Sequence, residues 1–450
     1  MSGYAEYREV NLPWLKAVPA HWEIRRNKNI FTEQKEIVGE RSADYTLLSL
    51  TLNGIIPRDM DGGGKFPESF DKYKIVKNGD MAFCLFDIDE TPRTVGLSGY
   101  NGMLTGAYTI MRVSNINARF IYYYYLALDN GKMLRPLYTG LRKTININTF
   151  QSTKVPVPPR EEQDQIVRFL DWKVSSINKL INIQKEQIRV IEELKEKAVC
   201  EVLLHGIDVG VSYKDSGIEW IGSIPERWKV IKIKWLFDEV DERNTDQTTE
   251  LLTFSKKRGL LPFAEASDKM PSASDLSNYK ILHKGQLLEN RMQAWHGMFI
   301  CSDREGCVSP DYSIFSASKE REVSVKFYEY VFRSHIWVEQ FANASRGVGS
   351  GFNRLYTPQF GAIHTVYPAI DEQRRIVEYL DKKTARLNAV ITQIERRIEG
   401  LEELKLTLIA DTVTGKIDVR GIDVPEYEYV EETIDDNNED CEEETEEQED

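Results

Sequence analysis

The chain has no apolar run near the ~18–20 residues needed to cross a bilayer, and its N-terminus, MSGYAEYREV, has no basic stretch leading into an apolar one. Neither a membrane anchor nor a secretory leader is expected, and the chain reads as cytoplasmic. Cysteine is scarce. Cys84, Cys200, Cys301, Cys307 and Cys441 are scattered, with no CxxC pair. This spacing argues against a disulfide framework or a cysteine zinc site and suits reduced thiols. The histidines at 21, 205, 283, 296, 335 and 364 show no ligand spacing, so no metal site is expected. There is no G-x4-G-K-S/T loop to cradle a nucleotide phosphate. There is also no D/N/S-P-P-Y/F/W methyltransferase segment; Val157-Pro158-Pro159-Arg160 has the wrong neighbours. Carboxylate-x-Lys triplets such as Glu33-Gln34-Lys35 arise by chance in so charged a chain.

Positive charge also looks short, since the net charge is −14. The deficit is local. Glu426–Asp450 holds 15 acidic residues and no Lys or Arg; the other 57 acidic residues meet 58 basic ones. The body is close to neutral and the acidity is a tail, 424–450. Its composition is that of a disordered, solubilising end, with competition for a basic groove as the alternative.

What the chain has is a repeat. Trp14-Leu15, Val18-Pro19, Trp22, Lys28 and Phe31 recur 206 residues on as Trp220-Ile221, Ile224-Pro225, Trp228, Lys234 and Phe237. Tyr73–Asp80 resembles Tyr279–Gln286, and Tyr108-Thr109-Ile110 resembles Tyr312-Ser313-Ile314. Short apolar segments broken by Gly, Asn and Asp read as strands and turns. Helical patterns are few: one near the start, one at Phe120–Asp129 and one at Val325–Ala342. Each copy is then a mixed α/β or α+β domain.

Each copy ends in a long helical stretch, Arg160–Leu204 and Asp371–Val413. The first carries a seam at Ile166, Leu170, Val174, Ile177, Ile181, Ile188, Ile191, Leu194, Ala198 and Val202. The second carries Ile376, Leu380, Leu387, Ile391, Ile394, Ile398, Leu401 and Leu408. Steps of three and four mark helices that pack lengthwise as a coiled coil. Each would be about 60–65 Å long. Pro158 and Pro368, followed by Glu162-Gln163 and Glu372-Gln373, make sound N-termini. The implied domains are 1–155, helix 156–212, 213–366, helix 367–423 and the tail.

Two dissimilar globular parts alternating with two similar helices, each opening P-x3-EQ-x2-IV-x2-LD and carrying EELK (Glu192–Lys195, Glu402–Lys405), resemble the specificity (S) subunit of Type I restriction-modification systems. The resemblance implies two target recognition domains, each reading half of a bipartite DNA site. It implies an antiparallel coiled coil that sets the spacer, an internal pseudo-twofold and no catalytic activity. It also implies partners: double-stranded DNA, two methyltransferase subunits and restriction subunits. Those partners, not this chain, would use S-adenosylmethionine, ATP and Mg.

Phosphate contacts call for Lys and Arg, and base reading for Arg, Asn, Gln and Ser on loops. The candidates are Asn53, Arg58, Arg93, Arg142, Lys143 and Asn146 in the first domain. In the second they are Lys256, Lys257, Arg258, Arg291, Arg346, Asn353 and Arg354. Gly347–Gly351 would let backbone approach phosphate. The run Tyr122–Tyr125 suits stacking on an extruded base; a Tyr-rich buried helix face is the simpler account. A scaffold joining two ligand-binding domains is the other non-catalytic reading, and it would show no salt-dependent DNA binding. A fused nuclease or methyltransferase would need the motifs that are missing.

Overall fold

Alternating apolar residues and glycine turns build the same set of strands twice. The computed structural model describes every residue except 1, 53, 59–66, 68, 139–142, 246–249, 257, 267–274, 347–352 and 434–450. The chain divides into two compact units, residues 1–186 with 394–450, and residues 187–393.

In the first unit, β1 (Phe31–Gln34), β2 (Asp80–Phe83), β3 (Val95–Leu97) and β4 (Thr109–Val113) form an antiparallel sheet in the order β1-β4-β2-β3. Gly79, at φ 86°, turns the chain into β2, a conformation cheap only for glycine. The period of two sends Met81 and Phe83 to one face and Ala82 to the other. Met81 and Phe83 join a cluster with Phe31, Met111, Tyr125 and Phe150. Ala82 and Ile110 join Leu48, Leu50, Ile55 and Val76. Helix α1 (Ala118–Asn130) covers the first face, and the hairpin Leu48–Thr51/Gly54–Pro57 covers the second. Asn117 caps α1, its side chain accepting from the backbone N–H groups of Arg119 and Phe120. The long helix α2 (Arg160–His205) begins in this unit.

The second unit repeats the plan. β5 (Phe237–Val240), β6 (Leu287–Asn290), β7 (Phe299–Cys301) and β8 (Tyr312–Ala317) run in the order β5-β8-β6-β7, all antiparallel. Helix α3 (Val325–Arg333) and helix α4 (His335–Ala344) pack on one side. The hairpin Leu252–Ser255/Gly259–Pro262 packs on the other. The second long helix is α5 (Ile370–Val413).

Two helix expectations change. The first segment forms strands Tyr7–Leu12 and Leu15–Pro19, not a helix. Pro13 and Pro19 punctuate it, and Leu12, which pairs with Leu15 past a shift in register, joins Leu15 and Val18 in the core. The single helix expected over 325–342 is two, because Ser334 is extended (φ −74°, ψ 145°) and its hydroxyl bonds to the Val331 carbonyl.

The E-Q pair explains how each helix joins its domain. The Gln163 side chain accepts from Asn117 N–H and donates to the Pro158 carbonyl. Gln373 does the same with Ser324 and Pro368. Each amide thus ties the start of a domain helix to the end of a strand. Glu162 accepts from Tyr4 Oη (2.6 Å) and Trp22 Nε1 (2.9 Å), and pairs with His21. Its twin Glu372 takes the guanidinium of Arg227 instead. Trp22 and Trp228 are buried, as a packing strip requires.

Within each unit the long helices run antiparallel. In the first, Gln165 bonds to the carbonyl of Val419 beyond the end of α5, and Asn178 bonds to Lys405. In the second, Lys195 bonds to Asn388 and Asp208 pairs with Arg375. Numbers rise on one helix as they fall on the other. Of the seam, Ile166, Leu170, Ile177, Ile181, Ile376, Leu380, Ile391 and Ile394 are buried. Ile188, Ile191, Leu387, Ile398 and Leu401 are half-buried. Leu194 departs from the seam and is 57% exposed. A straight α-helix drifts about 20° per heptad against a 3.5 repeat. The inward position moves on to Lys195, which reaches Asn388 at 3.0 Å.

The tail also departs from expectation. Residues 424–433 are described and hydrogen-bonded to α2. Residues 434–450, with Cys441, lie outside the described residues.

Candidate nucleic-acid interface

The loops that leave β2 and β6 collect the basic side chains. In the first unit Asp89 sits in the loop after β2. It accepts from Arg135 Nε (2.9 Å) and Tyr138 Oη (2.9 Å), with Lys143 Nζ at 3.7 Å. Lys143 also donates to Glu90 Oε1 at 2.8 Å. Burial works to raise the Asp89 carboxyl, but hydrogen bonds from Tyr138 and Arg135 and the charges of Arg135 and Lys143 outweigh it, so it lies below its ordinary range. The Glu90 hydrogen bond chiefly pushes Lys143 upward, keeping its ammonium charged. One carboxylate thus gathers two cations from a segment about 50 residues downstream.

The second unit gathers its cations differently, at Pro310 and Asp311 just before β8. Arg291, in the loop after β6, donates to the Asp311 carbonyl (3.0 Å) and the Pro310 carbonyl (2.7 Å). Arg354 reaches the Asp311 carboxylate at 3.5 Å. Arg346 and Arg354 exchange backbone hydrogen bonds, and Leu355 N–H donates to the Arg291 carbonyl. Arg291, Arg346 and Arg354 are therefore brought together. Each guanidinium carries five donors in a fork that suits phosphate. Asn353 is exposed beside them.

The other candidates fall out as follows. Lys256 and Arg258 are exposed at the hairpin turn before Gly259; the Lys256 carbonyl accepts from Arg333, and Arg258 donates to the Glu265 carbonyl. Arg58 is half-buried at the end of the matching hairpin. Asn146 caps the short helix Ile147–Ser152. Arg93 is a correction. Its side chain is 12% exposed and bonds to Asp129 (3.1 Å) and Asn130 (2.7 Å), so it fastens β3 to α1 and is not presented to a ligand. Asn53, Arg142 and Lys257 lie outside the described residues, as does Gly347–Gly351. The tyrosine run packs inward: Tyr123 bonds to Asp171, Tyr124 accepts from Trp14, and Tyr125 bonds to Asn27. The simpler account of it holds.

Sequence reading missed Arg135, Tyr138, Asp89 and Asp311. No local spacing marks them, since each finds its partner about 40–50 residues away.

A family model described as the Type I restriction modification DNA specificity domain matches residues 70–193. Two curated relatives come from Methanocaldococcus jannaschii. The type I restriction enzyme MjaVIII specificity subunit is 27% identical over 241 residues, 52% of this chain and 53% of that one, so the alignment spans about half of that relative. The putative type I restriction enzyme MjaX specificity subunit is 23% identical over 431 residues, 90% of this chain and 95% of the relative. A solved chain, from work on complex assembly and conformational transition of the type I R-M system, shares the fold with a TM-score of 0.59 at 14% identity, covering 89% of this chain and 99% of that one. Among the described residues no helix is long and apolar enough to cross a membrane. The domain match and the near end-to-end alignment support a reading of the chain as similar to the DNA specificity subunits of type I restriction-modification systems, with which it also shares its fold.

Proposed function

We propose that each globular domain reads one half of an asymmetric, split DNA site, and that the two long helices set the unread gap and dock two methyltransferase subunits. The observation that carries this is a cluster of basic side chains in the loops of each unit. One topology, used twice, presents Arg135 and Lys143 around Asp89 in the first unit, and Arg291 and Arg354 beside Asp311, with Arg346 paired to Arg354, in the second. A basic cluster in each copy supports two readers, and the different residues and placement support two different half-sites. The chain does no chemistry itself. The methyltransferase subunits would use S-adenosylmethionine, and restriction subunits would add ATP- and Mg-dependent cleavage, in the cytoplasm.

The test is methylation profiling of a host that carries this chain with its partner subunits. The expected result is one asymmetric motif of two defined halves and a fixed gap. Replacing 213–366 with the matching part of another such subunit should change one half and leave the other. If both halves change together, the two domains are not independent readers. A scaffold would leave the host's methylation unchanged.

A further inference from the structure

One face of α2 is built to hold a peptide backbone. Ser175, Asn178, Asn182 and Lys185 follow one another at steps of three and four, so they share a helix face. An extended segment lies along them. The Ser175 hydroxyl donates to the Glu428 carbonyl (2.9 Å) and accepts from Val430 N–H (2.8 Å). Asn178 Nδ2 donates to the Val430 carbonyl at 3.2 Å. Asn182 donates to the Glu431 carbonyl and accepts from Thr433 N–H, both at 2.9 Å. Lys185 Nζ donates to the Thr433 carbonyl at 2.9 Å. These bonds go to main chain, so they demand an extended backbone and little particular sequence. The exception is Glu432, whose carboxylate lies between Lys185 (3.3 Å) and Lys405 (2.5 Å). Burial works to raise that carboxyl, and the two lysines more than offset it. Ser175 and Asn178 are buried beneath the segment, at 2% and 6% exposure. Stripped of it, both side chains would lose the main-chain partners that fit them.

We propose that this face, with Lys405 of α5, is a binding site for an extended acidic peptide, occupied in this chain by its own residues 424–433. The main-chain contacts supply affinity, and the two lysines fix register by taking one carboxylate. Seating is therefore salt-sensitive. Any partner that offers an extended acidic chain to this face must displace the resident segment. The proposal does not depend on DNA reading, because none of the residues it uses belongs to either loop cluster.

The test uses the full chain carrying Val430→Pro and Glu432→Lys, which removes one N–H donor and reverses the register charge. A fluorescent peptide of the native 424–433 sequence is titrated in. We expect it to bind this variant, and to bind wild type at least about tenfold more weakly, because the tethered segment competes at high effective concentration. Binding should weaken as salt rises. A peptide carrying Glu432→Lys should fail on that variant, and adding Lys405→Glu to the chain should restore it. If the native peptide does not bind the well-folded variant, or binds wild type equally, the site does not exist as a peptide site. Hydrogen exchange on unmodified protein gives a second reading. The amides of Val430 and Thr433 should be protected, and Asn182→Ala should release Thr433. Two unprotected amides would overturn the proposal without any variant.

Discussion

At the same register of the two sheets stand Phe83 in the first unit and Glu289 in the second. Each lies two residues beyond the equivalent pair Met81 and Leu287, and opposite Thr109 and Ser313. Phe83 packs against Phe31, Tyr125 and Phe150 with ring centroids 4.8–5.6 Å apart. Glu289 is fully buried, and neither carboxylate oxygen makes a hydrogen bond in ordinary geometry. Burial pushes it up to about 8, so it is held as the neutral acid at pH 7. The two hubs differ as well. Glu162 satisfies Tyr4, Trp22 and His21, whereas Glu372 takes Arg227 and leaves Trp228 Nε1 without a partner. The shared topology thus survives exchange of a core ring for a carboxyl. What specifies it is the order of apolar positions and turns, and the individual residues are free to diverge.

The largest expected difference is at the hubs. Glu162→Ala should cost the first unit about 4 kcal/mol, because it strands two buried donors at once. Glu372→Ala should cost the second unit only about 1–2 kcal/mol, since Arg227 is 45% exposed and water screens its charge. Urea unfolding followed by hydrogen exchange within each unit measures both. Equal losses would mean the two glutamates do the same job.

Arg93→Ala should cost about 3 kcal/mol, again in the first unit, by removing one partner of the buried Asp129. Thermal unfolding reads the loss. If stability holds and the salt slope of DNA binding falls by about one, Arg93 is a phosphate ligand after all.

Glu289→Gln sharpens the comparison by removing a charge-capable group from the second core. The carboxyl's ordinary value is 4.5, and the fold raises it to about 8. Between these values the unfolded chain has released the proton and the folded chain keeps it. Stability of the second unit therefore falls as pH rises from about 4.5 to about 8. Gln abolishes that slope and should add roughly 2–3 kcal/mol at pH 7, and little at pH 4. The first unit, with Phe83, has no such slope from this position. Urea midpoints at pH 5 and pH 7 decide it; a gain independent of pH would mean that packing, not ionisation, is the cause.

The smallest effects belong to the loop clusters. Arg354→Ala and Arg135→Ala should each weaken DNA binding by about 1–2 kcal/mol and lower the salt slope by about one. Each should act on a different half-site. Plots of log affinity against log salt, on sites altered in one half at a time, check both. An unchanged slope would leave either arginine as an ordinary surface charge.

The sequence by itself determined the duplicated plan. Periodicity is local, so a run such as Ile166 to Ile181 declares a helix whatever lies beside it, and Arg160–His205 and Ile370–Val413 appear where expected. Glycine turns are local too, and Gly79 and Gly285 share φ 86° before equivalent strands. Only the tertiary structure decided which charges face outward. Arg93 and Arg354 read alike in sequence. One is spent on Asp129, 36 residues away; the other lies with Arg291 beside Asp311. The same holds for the tail. Composition read its acidity as solvated, but Ser175, Asn178 and Asn182 lie about 250 residues upstream and give its backbone partners. A residue's partner depends on what the fold places within about 3–4 Å of it, and no local pattern records that distance.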